Sequence, residues 1–340
     1  MTASGLTLTA IVPVREGGEK FRQCLAALGS SRPRPDEIIV VSDGDEDGAG
    51  KLAELMGARV IYTPSPPQGP AKARNVGAAE AKGDILFFVD ADVRIHVDST
   101  RIVLTSFQED KKIAAVIGSY DDTPSETDFF SQYKNLFHHY THQKSQNEAF
   151  TFWGACGAIR KEVFLSVGGF DERFTRPCIE DIELGYRLKK KVHLIRRIKG
   201  LQVTHLKRWR LGNLLRTDIF YRAIPWTLLM LREGSIQPDL NLRISDRFSC
   251  AAVLGLVLTM PLVVVTGWAW IGIPLFLGLL LMLNKDWYLY LMGLRGGRFA
   301  LKGMLFHWLY YFYSGLAFTT GWMIYRLEKA RGERSRWFLG

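Results

Sequence analysis

The sequence predicts an α/β domain, a mostly parallel sheet flanked by helices on both faces, followed by an α-helical transmembrane module. Two observations predict it. Short β-branched runs alternate with helical stretches through the first 120 residues, an order that gives parallel strands joined by crossover helices. Residues 248–325 are then dominated by Leu, Val, Trp, Tyr and Phe, whereas residues 1–247 are mixed and charged. A chain of 340 residues accommodates one sizeable catalytic domain and such a module.

The elements follow in order. Apolar runs at Leu8–Val14, Glu37–Ser42, Arg59–Tyr62, Asp84–Val89 and Ala114–Ile117 read as strands. Lys20–Leu28, Gly48–Met56, Pro70–Ala81 and Asp98–Gln108 read as the helices between them. Phe129–Gln143 carries Phe129, Phe130, Tyr133, Leu136, Phe137 and Tyr140 at helical spacing, either a core-facing helix or a face toward membrane or acceptor. Gly154–Arg160 and Val192–Ile198 read as further strands. Leu211–Leu231 is amphipathic, either an interfacial helix with Arg222 and Trp226 at headgroup level or an ordinary domain helix.

The resulting division is a catalytic domain over 1–210, an amphipathic segment over 211–247, transmembrane helices over 248–325 and a basic tail over 326–340. The apolar run from Cys250 to Leu283 exceeds one span of roughly 20 residues. About three spans are expected, near 248–267, 270–291 and 303–325. The basic loop Arg295–Lys302 and the basic tail both favour the cytosol, which three full spans do not satisfy. Either the tail lies outside or one segment is re-entrant or interfacial.

A net charge of +10 with basic residues clustered beside the apolar segments fits a rim facing anionic headgroups. No nucleic-acid partner is expected, because there is no basic low-complexity arm or RNA-binding signature. Cys24, Cys156, Cys178 and Cys250 form no C-x-x-C pair and read as reduced thiols. Met1 to Val14 lacks a basic n-region and a long apolar h-region, so no secretory signal is expected. The expected location is the bacterial inner membrane, with the catalytic domain cytosolic.

Ligands of open α/β sheets bind beyond the carboxyl ends of the strands. Asp90-Ala91-Asp92 follows the run Ile85–Val89 directly, and alternation along a strand would put both carboxylates on one side. Such a pair calls for a hard divalent cation, which also neutralises a departing diphosphate. Asp43 follows Ile38–Ser42 and is placed to accept hydrogen bonds from a base or ribose, or else to cap a turn with Asp45, Glu46 and Asp47. In Gly69-Pro70-Ala71-Lys72-Ala73-Arg74-Asn75-Val76-Gly77, small residues let a helix approach the sheet, and Lys72 or Arg74 can face phosphates. Glu180 and Asp181, adjacent and so diverging, offer one general base, or a helix-capping acid. His205 is a metal or phosphate ligand or a structural histidine. His138, His139 and His142 resemble a metal cluster but have no acid at matching spacing.

Ala10-Ile11-Val12-Pro13-Val14, the Asp43 turn, Ala73-Arg74-Asn75-Val76-Gly77, Asp90-Ala91-Asp92, Gly168-Gly169-Phe170-Asp171 and Glu180-Asp181 occur in the order that resembles family 2 glycosyltransferases over about residues 6–210. The resemblance implies the GT-A fold and an inverting transfer from a nucleotide-sugar donor, a UDP- or GDP-sugar. It implies that Asp43 binds base or ribose and that Asp92 holds Mg²⁺ or Mn²⁺, with Asp90 closer to the sugar-nucleotide; Pro13, Lys72, Arg74, Asn75 and Ala91 are the further residues expected at the donor, and Asp90 and His205 the further expected metal ligands. It makes Asp181 the base beside Glu180, and Gly154–Arg160 the acceptor-side strand. The implied acceptor is a membrane lipid or lipid-linked glycan, with polyprenyl phosphate the alternative. The Gln-x-x-Arg-Trp motif of processive synthases is missing at His205-Leu206-Lys207-Arg208-Trp209 and at Arg222-Ala223-Ile224-Pro225-Trp226, which disfavours processive synthesis. A non-catalytic nucleotide-binding scaffold is disfavoured by the intact Asp90, Asp92 and Asp181.

Overall fold

The computed structural model describes residues 5–45, 47–235, 237, 239–267 and 269–332. Residues 333–340 of the expected basic tail, Glu46 of the acidic turn and Trp268 of the interspan patch lie outside them. The chain divides into two compact units, one ending at Arg210 and the other beginning at Leu211.

The first unit holds strands β1 (Leu8–Val14), β2 (Glu37–Asp43), β3 (Arg59–Thr63), β4 (Ile85–Val89), β5 (Val93–Ile95), β6 (Ile113–Tyr120), β7 (Cys156–Arg160) and β8 (Leu194–His205). Its helices are α1 (Glu19–Ser30), α2 (Ala49–Leu55), α3 (Pro70–Glu80), α4 (Ser99–Glu109), α5 (Phe129–Lys144), α6 (Lys161–Ser166) and α7 (Glu180–Lys190). The strands form one sheet in the order β3-β2-β1-β4-β7-β6-β8-β5. β3, β2, β1 and β4 run parallel, and β6 is parallel to β8. β7 enters antiparallel between β4 and β6, and β5 pairs antiparallel with β8.

β4 explains why the sheet holds. Its five residues are all buried, as a central parallel strand covered on both faces requires. Ile85, Phe87 and Val89 join Phe21, Cys24, Leu25 and Leu28 of α1 and Val103 and Phe107 of α4 on one side. On the other, Phe88 meets the rings of Phe152, Phe164 and Phe170 at 6.1, 5.3 and 5.2 Å between centroids. α3 closes down on the sheet because Gly77 has no side chain: a Cβ there would lie 2.6 Å from Ile11. Gly69, which opens α3 at φ +94°, leaves the same kind of room for the Thr175 carbonyl, 2.4 Å from a Cβ built there.

The second unit is helical: α8 (Leu211–Arg216), a π-helical turn (Thr217–Ala223), α9 (Ile224–Glu233), α10 (Ile244–Leu262), α11 (Ala269–Leu283), α12 (Lys285–Arg295) and α13 (Gly297–Arg331). Among the described residues, α10 is the one helix long and apolar enough to cross a membrane; α11 and α12 qualify only as a pair bent by 64°. The third expected span, 303–325, lies within the 35 residues of α13 and does not qualify. Part of its aromatic content is spent inside the unit, with His307, Tyr310, Tyr311 and Tyr313 all buried, while Phe318 and Trp322 are exposed. The Tyr311 hydroxyl stands 3.0 Å from Asp246 Oδ1 and 2.8 Å from Asn284 Oδ1, with one proton to donate to either, and Asn284 Nδ2 donates to Ser249 Oγ (3.0 Å), so polar contacts link α10 and α13 to the α11–α12 bend. In 211–247, Arg222 is exposed and Trp226 half-buried.

Phe88→Ala removes a ring that three other rings surround and is expected to destabilise the first unit by about 3–5 kcal/mol. Thermal unfolding of the full chain in detergent reads this as a lowered midpoint; an unchanged midpoint would contradict the packing.

Candidate active site

Asp90, Asp92, Glu180, Asp181 and His205 come from three separate elements and meet beyond the carboxyl ends of β4 and β8. β4 stops at Val89, and the next residues form a tight turn in which the Val93 N–H donates to the Asp90 carbonyl at 3.2 Å. The expectation that Asp90 and Asp92 project to one side as alternate strand residues is therefore corrected. The turn sends the two carboxylates to different partners.

Asp90 turns to Arg74, whose Nη2 lies 2.6 Å from its Oδ1. The same guanidinium reaches Glu180 Oε1 from Nη1 at 3.0 Å. Arg74 is 4% exposed, so it is not the solvent-facing phosphate ligand that its place in the α3 motif suggests. Burial alone would lower its pKa; Asp90 and Glu180 outweigh burial and raise it, so it stays a cation. Its plane lies over the Phe170 ring at 5.3 Å, and Gly154 makes room for it, since a Cβ there would lie 3.1 Å from Cζ.

Glu180 and Asp181 diverge at the start of α7. Glu180 is buried, and its second oxygen accepts the Cys178 N–H at 2.8 Å. Asp181 is half-buried, and its Oδ2 accepts the Gly154 N–H at 3.2 Å. Because Gly154 abuts the guanidinium, Asp181 is held beside the same cation that binds Asp90. Three carboxylates thus gather around one buried cation, an excess of negative charge that favours a further cation.

Asp92 turns the other way. Val93 pairs with His205 across β5 and β8, and the Leu206 N–H donates to the Asp92 carbonyl at 2.9 Å. That register brings His205 Nε2 to 3.9 Å from Asp92 Oδ2. The spacing is too long for a hydrogen bond. Two ligands each about 2.1 Å from a Mg²⁺-sized ion stand at most about 4.2 Å apart, so one ion fits between them. Among the described residues no three His, Cys, Asp or Glu side chains form a ready-made cage. A site with one carboxylate and one imidazole leaves the remaining positions to diphosphate oxygens and water, the usual division for Mg²⁺. Beneath the turn, burial and then Asp92 and Asp90 push the Cys24 thiol pKa up, so this cysteine stays protonated.

The remaining candidates sort by their partners. Asp43 is buried and accepts from Thr63 Oγ1 (2.7 Å), the Gln68 N–H (3.0 Å) and the Gly69 N–H (2.8 Å), which braces the loop into α3. Capping falls to Asp45 and Asp47, both of which accept the Ala49 N–H. Asn75 grips the Phe170 backbone at both its carbonyl (2.9 Å) and its N–H (2.8 Å). Lys72 is half-buried on α3 with no ion-pair partner among the described residues. Pro13 and Ala91 sit half-buried at the ends of β1 and β4. His139 and His142 bond the Tyr120 and Gly118 carbonyls at 2.7 and 3.1 Å and belong to no group of three metal-ligating side chains among the described residues.

Sequence reasoning missed Tyr120 and Asp121. β6 runs three residues past the expected end at Ile117, so the rule of inspecting strand ends pointed too early. The Tyr120 ring stacks on His205 at 4.2 Å, and Asp121 accepts from Thr204 (2.5 Å) and pairs with His96 (3.0 Å). Burial would raise the Asp121 pKa; the His96 and Thr204 hydrogen bonds outweigh it and hold the pKa low.

Residues 9–168 match the family model described as glycosyl transferase family 2, and residues 134–210 match that of the N-terminal domain of galactosyltransferase. The chain is 30% identical to glycosyltransferase GlyA of Streptococcus pneumoniae over 126 residues, 36% of this chain and 18% of that protein. It is 26% identical to the pre-mycofactocin glycosyltransferase of Mycobacterium tuberculosis over 233 residues, 63% of this chain and 46% of that protein. The matched stretches thus span less than half of either relative. The mannosyltransferase PcManGT of Pyrobaculum calidifontis, solved with GDP-Man and Mn²⁺, shares the fold: TM-score 0.58, 15% identity, 96% of this chain and 89% of that one.

Arg74→Met leaves Glu180 buried without its cation, and removing one partner of such a pair costs about 3–5 kcal/mol. The expected result is a lower unfolding midpoint, with Arg74→Lys intermediate. Equal stability of Arg74→Met and wild type would contradict the clamp.

Proposed function

We propose, because residues 9–168 of this chain belong to glycosyl transferase family 2, that the protein is a metal-dependent inverting glycosyltransferase of the membrane surface, moving one sugar from a UDP- or GDP-sugar to a membrane lipid or lipid-linked glycan. The observation that supports it most is the Arg74 clamp. One guanidinium holds Asp90 and Glu180, and Asp181, next to Glu180, accepts the N–H of Gly154, which abuts that guanidinium.

Asp92 and His205 would hold Mg²⁺ or Mn²⁺, which when bound neutralises the diphosphate as it leaves. Lys72 would add a positive charge toward phosphate, and Pro13 and Ala91 would border the nucleotide. Asp43 contributes by fixing the loop that leads into α3. Asp181 takes the proton from the acceptor hydroxyl, and attack opposite the diphosphate inverts the anomeric centre. A hydroxyl needs this help at neutral pH, whereas a phosphate acceptor arrives ionised. The diverging, half-buried Asp181 therefore favours a hydroxyl-bearing acceptor over polyprenyl phosphate.

Surface chemistry supports the membrane reading. Only 22% of the apolar stretch of α10 is buried within the protein. Val264, Trp270 and Leu275 are 89%, 64% and 63% exposed, in a unit that exposes many more large apolar side chains. Apolar patches of this extent mark membrane or partner surfaces. The helix pair bent by 64° suits a re-entrant segment, which would let the loop Arg295–Lys302 and the basic tail share the cytosolic side.

Asp181→Asn keeps the shape and removes the basicity. The expected effect is a loss in kcat of roughly 10²–10⁴-fold with donor affinity nearly unchanged. Steady-state kinetics with a nucleotide-binding measurement check this, and normal turnover in this variant would remove Asp181 from the mechanism. Carbonate washing of membranes is expected to leave the full chain in the pellet; its release would contradict integral insertion.

A further inference from the structure

We propose that Tyr120 is a positioning residue that fixes the His205 imidazole for metal binding. The inference rests on the metal reading above and extends it to a side chain that acts through His205.

A histidine at a strand end has a broad, roughly two-fold ring torsion, so backbone pairing alone does not aim its nitrogens. His205 must present Nε2 toward Asp92 for the two to share an ion. Tyr120 supplies the missing restraint. It ends β6 and pairs with Val203 on β8, and His205, two residues further on, lies on the same face. The two rings lie nearly parallel, 12° apart at 4.2 Å between centroids. Ring-on-ring contact permits sliding but resists rotation about the torsion that would swing Nε2 away.

Tyr120 is in turn held from behind. Trp153 meets it edge-on at 5.0 Å, and His138 lies against it at 4.4 Å. His138 stacks on His142 at 4.0 Å, one helical turn along α5. The ring series His142, His138, Tyr120, His205 therefore runs from a helix to the metal-binding edge. His139 and His142 also grip the carbonyls of Tyr120 and Gly118, which fixes the end of β6. The histidine group that resembles a metal cluster in the sequence serves as the abutment for one metal ligand. The contact is made by ring faces, so Tyr120→Phe preserves it, whereas Tyr120→Leu removes it.

The test is a titration of the full chain in detergent with Mn²⁺ in the presence of UDP or of GDP, followed by electron paramagnetic resonance of the free ion, with thermal unfolding run alongside. Residues that orient a metal ligand typically contribute 10–100-fold to affinity. Tyr120→Leu is expected to weaken Mn²⁺ binding by roughly that factor, Tyr120→Phe to stay within about threefold of wild type, and His205→Ala to weaken it at least as much as Tyr120→Leu. Tyr120→Leu combined with His205→Ala is expected to lose nothing beyond His205→Ala alone, because the two act through one ligand. Should Tyr120→Leu not fold, Tyr120→Met, unbranched and ringless, makes the same comparison. Wild-type affinity in the ringless variant beside a weakened His205→Ala overturns the inference and leaves the metal reading standing. Equal losses in Tyr120→Phe and Tyr120→Leu, or additive losses in the double variant, overturn it as well. Unchanged affinity in His205→Ala overturns the metal reading and the inference together.

Discussion

The first unit depends on one buried cation. Arg74 sits between Asp90 at the end of β4 and Glu180 at the start of α7. Sequence separates these partners widely, so the guanidinium is what makes their elements neighbours in chemistry as well as in space. A guanidinium suits this position because its planar fork bonds two carboxylates at once and stays charged when buried. A lysine, with one point charge, would have to choose. The small residues around it follow from the same demand: Gly154 leaves it room, and Gly77 lets α3 settle onto the sheet far enough to deliver it.

That clamp divides the labour among the acids. Asp90 and Glu180 are bonded to Arg74, whereas Asp92 faces His205 and Asp181 accepts the Gly154 N–H beside the guanidinium. The Asp90–Asp92 turn sends one carboxylate to the cation and the other to His205. The Glu180–Asp181 pair does the same at the helix start. Each acid motif thus contributes one side chain bonded to the buried cation and one that is not, and the second, helical unit exposes many large apolar side chains.

Much of this was legible in the sequence. Alternating β-branched and helical runs marked the four parallel strands β1 to β4 almost residue for residue, and the strand-end rule led to Asp43, Asp90 and Asp92. The rest was hidden for physical reasons. A strand pattern does not announce where a turn begins, so Asp90 and Asp92 read as facing one way. An arginine in a small-residue helix reads as solvated until the sheet closes over it. Tyr120 lay beyond the expected end of its strand because Gly118 and Ser119 dilute the apolar signal, although the ladder to β8 resumes at Ser119 after a register shift. The aromatic character of α13 reads as a membrane span, yet its tyrosines and His307 turn inward to one another and to Asp246 and Asn284.

The most direct measurement of the central claim is release of nucleoside diphosphate from a panel of UDP- and GDP-sugars by the full chain in nanodiscs containing bacterial lipid extract. It is run with Mn²⁺ or Mg²⁺, after exhaustive EDTA treatment, and with Asp92→Ala in place of wild type. A glycosyltransferase that holds its cation at Asp92 consumes at least one donor in the presence of metal and falls to background in both other arms. Failure to consume any donor, or consumption that survives EDTA and Asp92→Ala alike, would contradict it.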